Sequence, residues 1–214
     1  MSDTSSIVTD PLTARVGSLL GPAVVLLLHG FGANEDDLAG LAPRLAPGLG
    51  WASLRAPLTL GPGSYAWFHV VTPGSPAPEP VAAATAAIWE WVDANVPAGT
   101  TLIPVGFSQG GLMATELLRT RPERVAATVV LGGFVQGAER VGDAGLLETR
   151  PPAFWGRGEQ DGVIAAHAVA RTEGWLPAHT TLTRRLYPGL GHSINAAEAD
   201  DVAAFVARVV GKDR

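Results

Sequence analysis

The strongest constraint in this sequence is an alternation. Short runs of β-branched residues and leucine are separated by longer segments whose apolar residues recur at helical spacing. That order marks βαβ units and predicts an α/β fold with a mostly parallel central sheet and helices on both faces. Strands are expected at Ala23–Leu28, Trp51–Leu54, Thr101–Val105, Val125–Leu131, Ala153–Trp155 and Leu182–Tyr187, with one more near Ile7–Val16. Helices fit Asp36–Leu45, Val81–Val96, Gln109–Thr120, Ile164–Leu176 and Ala196–Val210. The last is the best marked: Val202, Phe205, Val206 and Val209 share one face, Asn195 stands as N-cap with Glu198 three residues on, and Gly211 lies beyond the end. Pro104 conflicts with a central strand because it removes a ladder donor, a conflict that a strand end or bulge would relieve.

A chain of 214 residues buries about 70% of its unfolded surface. Neither an internal repeat nor a dividing linker is present, so a single domain over residues 1–214 is expected. With 47% hydrophobic and 16% charged residues the chain is too apolar to be disordered. Its net charge is -5 and its 15 basic residues are scattered, which excludes an electrostatic footprint for nucleic acid. The absence of cysteine rules out disulfides, thiolate metal sites and a cysteine nucleophile. Five dispersed histidines without an HExxH pattern predict no metal centre, and no cofactor is expected. The first ten residues lack the basic and apolar regions of a signal peptide. The longest apolar runs, Ala23–Leu28 and Val81–Ile88, fall far short of the roughly 20 residues that cross a bilayer. A cytoplasmic protein without membrane insertion is the expectation.

Gly106-Phe107-Ser108-Gln109-Gly110 matches GxSxG, in which the glycines let a strained strand-to-helix turn project the serine. Chance supplies about 0.1 such patterns in a chain of this composition, so context must decide. The apolar run Thr101–Val105 precedes the motif and a helix-period segment with Leu112, Met113, Leu117 and Leu118 follows it. Without that context Ser108 would read as an ordinary helix N-cap. A serine hydroxyl becomes a nucleophile only beside a base, and the base needs a third group to fix its tautomer. In the chain order of such sites the acid and then the histidine follow in loops after later strands. His192 sits in the turn-rich Tyr187–His192 loop after the last strand, whereas His29, His69, His167 and His179 are placed less suitably. Asp161 follows the strand Ala153–Trp155 and is the leading acid, with Glu159 its competitor in the same loop. Stabilisation of a developing oxyanion requires backbone donors. Gln109, directly after the serine, supplies one, and the loop His29-Gly30-Phe31-Gly32-Ala33-Asn34 is placed to supply another. The same loop also reads as a glycine turn into a helix capped by Asn34 or Asp36. The Gly/Pro-rich segment Pro57–Pro80, with Tyr65, Trp67 and Phe68, reads either as an aromatic-pinned surface loop or as a substrate wall.

Leu28–Leu38, Arg55-Ala56-Pro57 with Tyr65-Ala66-Trp67-Phe68, Gly106–Gly111 and Pro188–His192 occur together and in order. Over nearly its whole length the chain thereby resembles the phospholipase/carboxylesterase family of small α/β-hydrolases, which includes bacterial carboxylesterases and acyl-protein thioesterases. The resemblance implies an α/β-hydrolase fold without a cap domain and a serine esterase: Ser108 as nucleophile, Asp161 as acid, His192 as base, and the amides of Phe31 and Gln109 as oxyanion donors. It departs from the family at Arg157, where histidine often precedes the glycine, at Ala165 and Ser193, where proline and glutamate are common, and at His69, where aspartate is frequent. The expected substrate is a small-molecule ester with a small or medium acyl group. It would lie in an open groove bordered by Gly30, Phe31, Gly32, Trp67, Phe68 and Phe134. Acyl-protein thioesterase or lysophospholipase activity is the alternative, and a non-catalytic binder of the same fold a third reading. Family members are often dimers, so a homodimer is also an expectation.

Overall fold

The computed structural model describes residues 12–211. Its centre is a seven-stranded sheet formed by β1 (Ala14–Ser18), β2 (Ala23–Leu28), β3 (Gly50–Leu54), β6 (Thr101–Phe107), β7 (Thr128–Leu131), β8 (Pro152–Gly158) and β9 (Thr181–Tyr187). The spatial order is β1-β3-β2-β6-β7-β8-β9. Every neighbouring pair is parallel except β1 with β3. Both faces are covered, which is why β2 can be Ala-Val-Val-Leu-Leu-Leu and fully buried. Val24, Leu26 and Leu28 face one core layer, with α3 (Pro78–Asn95) and α4 (Gln109–Thr120). Ala23, Val25 and Leu27 face the other, with α1 (Asp36–Ala39), α2 (Ala42–Leu45) and α7 (Ala196–Gly211). The remaining helices are α5 (Asp143–Thr149) and α6 (Ala166–His179). A separate hairpin, β4 (Leu58–Gly61) with β5 (Ser64–Ala66), occupies part of the Gly/Pro-rich segment.

The fold class is the expected one, with local differences. The single helix expected over Asp36–Leu45 is two short ones, because Pro43 has no N–H to donate and its ring would collide with the carbonyl four residues back, at Ala39. The strand expected over Ile7–Val16 is β1, which begins at Ala14 and runs to Ser18, while residues 7–11 lie outside the described residues. The run expected as a strand from Val125 is regular only from Thr128. α6 starts at Ala166 rather than Ile164, because Ala165 is extended at φ -56° and ψ 137° and its carbonyl accepts the first bonds of the helix, while the N–H groups of Val163 and Ile164 donate to the Asp161 side chain in the preceding turn. Neither α5 nor the hairpin was anticipated.

Pro104 fits by facing a gap. Thr101 donates its N–H towards Pro22 on the β2 side, whereas the Leu102 carbonyl accepts from Ala126 on the β7 side. Alternation turns Pro104 towards β7 as well. There the ladder is a lone bridge at Leu102–Val125 and resumes only at Val105–Val129. The missing donor therefore falls where no pairing is made.

In α7, the Asn195 side chain accepts from the Glu198 N–H at 2.8 Å, as expected of an N-cap. The Glu198 carboxyl does not complete a capping box. It is fully buried beside Gly156, and neither oxygen has a hydrogen-bond partner. Burial, reinforced by Asp201, pushes its pKa up to about 7. The folded protein thus holds a proton that the unfolded chain releases near its ordinary value of 4.5, so stability falls as pH rises from about 4.5 through 7. Glu198→Gln should remove this slope and raise the urea midpoint at pH 8, by an amount equivalent to about 3.4 kcal/mol at most. Urea unfolding of both proteins at pH 5.5 and 8 measures it.

Candidate active site

Four loops at the C-terminal ends of β2, β6, β8 and β9 converge on one rim of the sheet, where open α/β sheets place their ligands. At the end of β6, Ser108 has φ 55° and ψ -115°, a left-handed conformation that is strained for a residue with a side chain. Two glycines make this turn possible. A Cβ on Gly106 would run into the Gly110 carbonyl, and a Cβ on Gly110 would run into the Leu28 carbonyl. The Ser108 N–H is tied to the Leu131 carbonyl at 2.8 Å, and α4 begins at the next residue. The hydroxyl thus stands at the positive end of a buried helix dipole.

His192 Nε2 lies 2.8 Å from Ser108 Oγ, and its Nδ1 lies 2.8 Å from Asp161 Oδ2. The other carboxylate oxygen, Oδ1, accepts from the N–H groups of Val163 and Ile164 at 3.0 and 3.3 Å, which fixes the carboxylate plane. Glu159, the competitor in the same loop, is exposed. The imidazole also packs against Phe107, ring centroids 4.8 Å apart. The acid and histidine loops are joined by backbone bonds, Glu159 N–H to Tyr187 O at 3.0 Å and Gln160 N–H to Leu190 O at 2.9 Å. Their approach is close enough that a Cβ on Gly158 would collide with the carbonyls of Leu190 and Gly191.

Phe31 and Gln109 each present a backbone N–H with no acceptor among the described residues. The Gln109 side chain is locked: Oε1 accepts from the Trp67 N–H at 2.8 Å and Nε2 donates to the Phe68 carbonyl at 2.7 Å. The Phe31 loop is braced from below and from the side. The hairpin pairs with it through Gly32 N–H to Tyr65 O at 2.8 Å, Tyr65 N–H to Ala33 O at 2.9 Å and Asn34 Nδ2 to Gly63 O at 3.0 Å. Asn34 also accepts from the Asp36 N–H, turning the chain into α1. Glu35 is ion-paired with Arg55, which stacks on Tyr65.

Beneath the loop lies His29, fully buried, a residue the sequence reading set aside. Its Nε2 accepts from the Ala56 N–H at 3.0 Å, so the ring proton resides on Nδ1 and is donated to the Gly30 carbonyl at 2.7 Å. Its own carbonyl accepts from Trp67 Nε1 at 2.9 Å. Its position at the end of a fully apolar strand, directly before the glycine turn in Leu28-His29-Gly30-Phe31, was the available signal.

A groove of about 300 Å³ runs from Ser108 and Gln109 between Phe31, Phe68 and Phe134, and on to Val70, Pro73, Pro76 and Ile164. Trp67, expected as a wall, is a correction: it is 1% exposed and spent on bracing His29, and Phe68 takes the lining position. Gly30 packs under the Ser108 Cβ and Gly32 supplies a left-handed turn; neither lines the groove. Among the described residues no group of three or more metal-ligating side chains comes together, and no helix is long and apolar enough to cross a membrane.

The family model for phospholipases and carboxylesterases matches residues 21–210. The chain belongs to the phospholipase/carboxylesterase family. On that ground it is a carboxylic ester hydrolase. Carboxylesterase SOBER1 of Arabidopsis thaliana is 27% identical over 203 residues, covering 86% of this chain and 89% of that protein. In fold, the chain is similar to the Bacillus cereus carboxylesterase, with a TM-score of 0.78 at 19% identity over 92% of this chain and 94% of that one. It is also similar to a carboxylesterase from Mesorhizobium loti, with a TM-score of 0.76 at 19% identity over 94% and 98%.

Two predictions follow from this geometry. Gly158→Ala must drive the acid and histidine loops apart, and should lower kcat/KM on a soluble aryl ester by about 10²-fold or more while circular dichroism stays that of the parent. Burial holds the His29 pKa below its usual value near 6.5. The unfolded chain therefore takes up a proton that the folded protein refuses, and stability is lost as pH falls below about 6.5. His29→Asn should shrink the difference between urea midpoints at pH 7.5 and 5.5.

Proposed function

We propose that this ester hydrolase is a serine carboxylesterase acting on small to medium acyl esters through an acyl-serine intermediate. The observation that carries the reading is the unbroken hydrogen-bonded line Ser108–His192–Asp161 at the mouth of an apolar groove. In the proposed reaction Ser108 Oγ attacks the ester carbonyl carbon as His192 Nε2 takes its proton. Asp161 holds the resulting imidazolium in orientation. The negative charge moves to the carbonyl oxygen, where the N–H groups of Phe31 and Gln109 and the α4 dipole stabilise it. His192 then returns the proton to the departing alkoxide oxygen, and water repeats the sequence to free the acid and Ser108.

The rigid support of both amides favours catalysis over mere binding, because preorganised donors act without reorganising when charge develops. The groove volume sits at the lower end of the range for small-molecule sites, about 300–1,000 Å³, which supports a short or medium acyl chain. Since no step uses a metal ion, activity is expected to persist in chelator. Ser108→Ala should lower kcat by about 10⁴-fold or more with KM little changed, and should abolish labelling by a fluorophosphonate. A panel of nitrophenyl esters from acetate to laurate, run on both proteins, tests mechanism and chain length together. Undiminished turnover by the Ser108→Ala protein would overturn the assignment, and rates peaking at laurate would overturn the chain-length reading.

A further inference from the structure

The outer wall of the groove is a strap, residues 72–76, that belongs to no helix or strand and stands mostly exposed. Three side chains tie it down. Arg171 Nη2 donates to the Gly74 carbonyl at 2.7 Å, Gln136 Nε2 donates to the Pro76 carbonyl at 3.0 Å, and Ser75 Oγ meets His167 Nε2 at 3.0 Å. Arg171 makes a second bond on the opposite wall: its Nε donates to the Val135 carbonyl at 2.7 Å, directly after Phe134, while Gln136 Oε1 accepts from the Ala138 N–H within its own loop. One planar, rigid fork therefore spans the two walls and sets their separation.

The chemistry of Arg171 makes a purely stabilising role a poor explanation. No carboxylate pairs with it among the described residues, and the nearest charge acting on it is another guanidinium, Arg119. Burial and that like charge both disfavour its ionised form. A cation held by two carbonyls, with its guanidinium carbon 6.0 Å from the centre of the Phe134 ring and no carboxylate beside it, costs more partly out of water than a neutral side chain packed in the same place. Gly74 shows how tight the fit is on the strap side. It has φ +74°, and a Cβ there would come within 2.9 Å of the Cβ atoms of both Ala165 and Ala168 on and just before α6.

We infer that Arg171 is a positioning residue for substrate specificity: by clamping residues 72–76 against the Phe134 wall it keeps the groove narrow and limits the acyl chain admitted. This rests on the esterase reading for its substrate but can be tested without turnover. Arg171→Met keeps the aliphatic stem and removes both donated bonds, so the strap loses its tie to the Val135 carbonyl and is left with those to Gln136 and His167. Gly74→Ala pushes the strap off α6 from the other side.

The ratio of kcat/KM for nitrophenyl laurate to that for nitrophenyl acetate should rise at least tenfold in each variant, and should rise less in Arg171→Lys, whose single ammonium nitrogen replaces the two spaced nitrogens that reach the two carbonyls. A merely structural Arg171 would instead lower all esters in proportion. On a Ser108→Ala background, isothermal titration should show dodecanoate binding at least tenfold tighter after Arg171→Met, with butanoate changed less than threefold. This arm needs no catalysis, so failure of the esterase reading leaves the clamp open to judgement on its own. An unchanged laurate-to-acetate ratio together with unchanged dodecanoate affinity overturns the proposal. If Arg171→Met does not fold, Gly74→Ala decides both arms in the same way.

Discussion

The site depends on one close approach of backbone to backbone. The first turn of α4 lies so near the end of β2 that Gly110 rests on the Leu28 carbonyl, and Gly106 in turn rests on Gly110. This contact fixes the elbow that holds Ser108 in a left-handed conformation, and it brings the loop after β2 beside the helix N-terminus. Phe31 and Gln109, from distant parts of the chain, then line one groove together with Ser108. Any side chain at either glycine would separate strand from helix and break the relation between Ser108 and both residues together. Strain at Ser108, of order 1–3 kcal/mol, persists because the surrounding parallel sheet is buried on both faces and over-determines the turn.

The elements whose periodicity is strong were readable from sequence. β2, β6, α3, α4 and α7 stand where apolar spacing put them, and the order of the motifs fixed which strand ends carry Ser108, Asp161 and His192. Readability failed where a long-range bond decides local structure. Val163 and Ile164 are drawn into a turn closed on the Asp161 carboxylate, and α6 starts only after the extended Ala165. The hairpin β4–β5 exists because the Phe31 loop pairs with it, a partner about 30 residues away that no window can see. Trp67 looked like a wall since it is large and apolar, and only the indole N–H, satisfied by His29, reveals its place behind the site. Arg171 carried no motif; its two acceptors are backbone carbonyls, which composition does not distinguish.

The Gly/Pro-rich segment, which read equally as pinned loop or as wall, is both in succession. Its first part braces the Phe31 loop through Tyr65, while Trp67 anchors it in the core. Its second part, from Phe68 onward, borders the groove. The Gln109 side chain sits at the joint, bonded to the backbone of Trp67 and Phe68. The residue whose amide N–H directly follows Ser108 is thus the residue that holds the groove wall in register with it.

The acid and histidine loops are zipped to each other, whereas the serine elbow belongs to a different part of the sheet. Asp161 and His192 are therefore tied to one another at the β8–β9 margin by backbone as well as side chain, while the imidazole meets the β6 side through the Phe107 ring and the Ser108 hydroxyl. A shift of that margin against β6 would change the distance between imidazole and hydroxyl before it parted the imidazole from the Asp161 carboxylate.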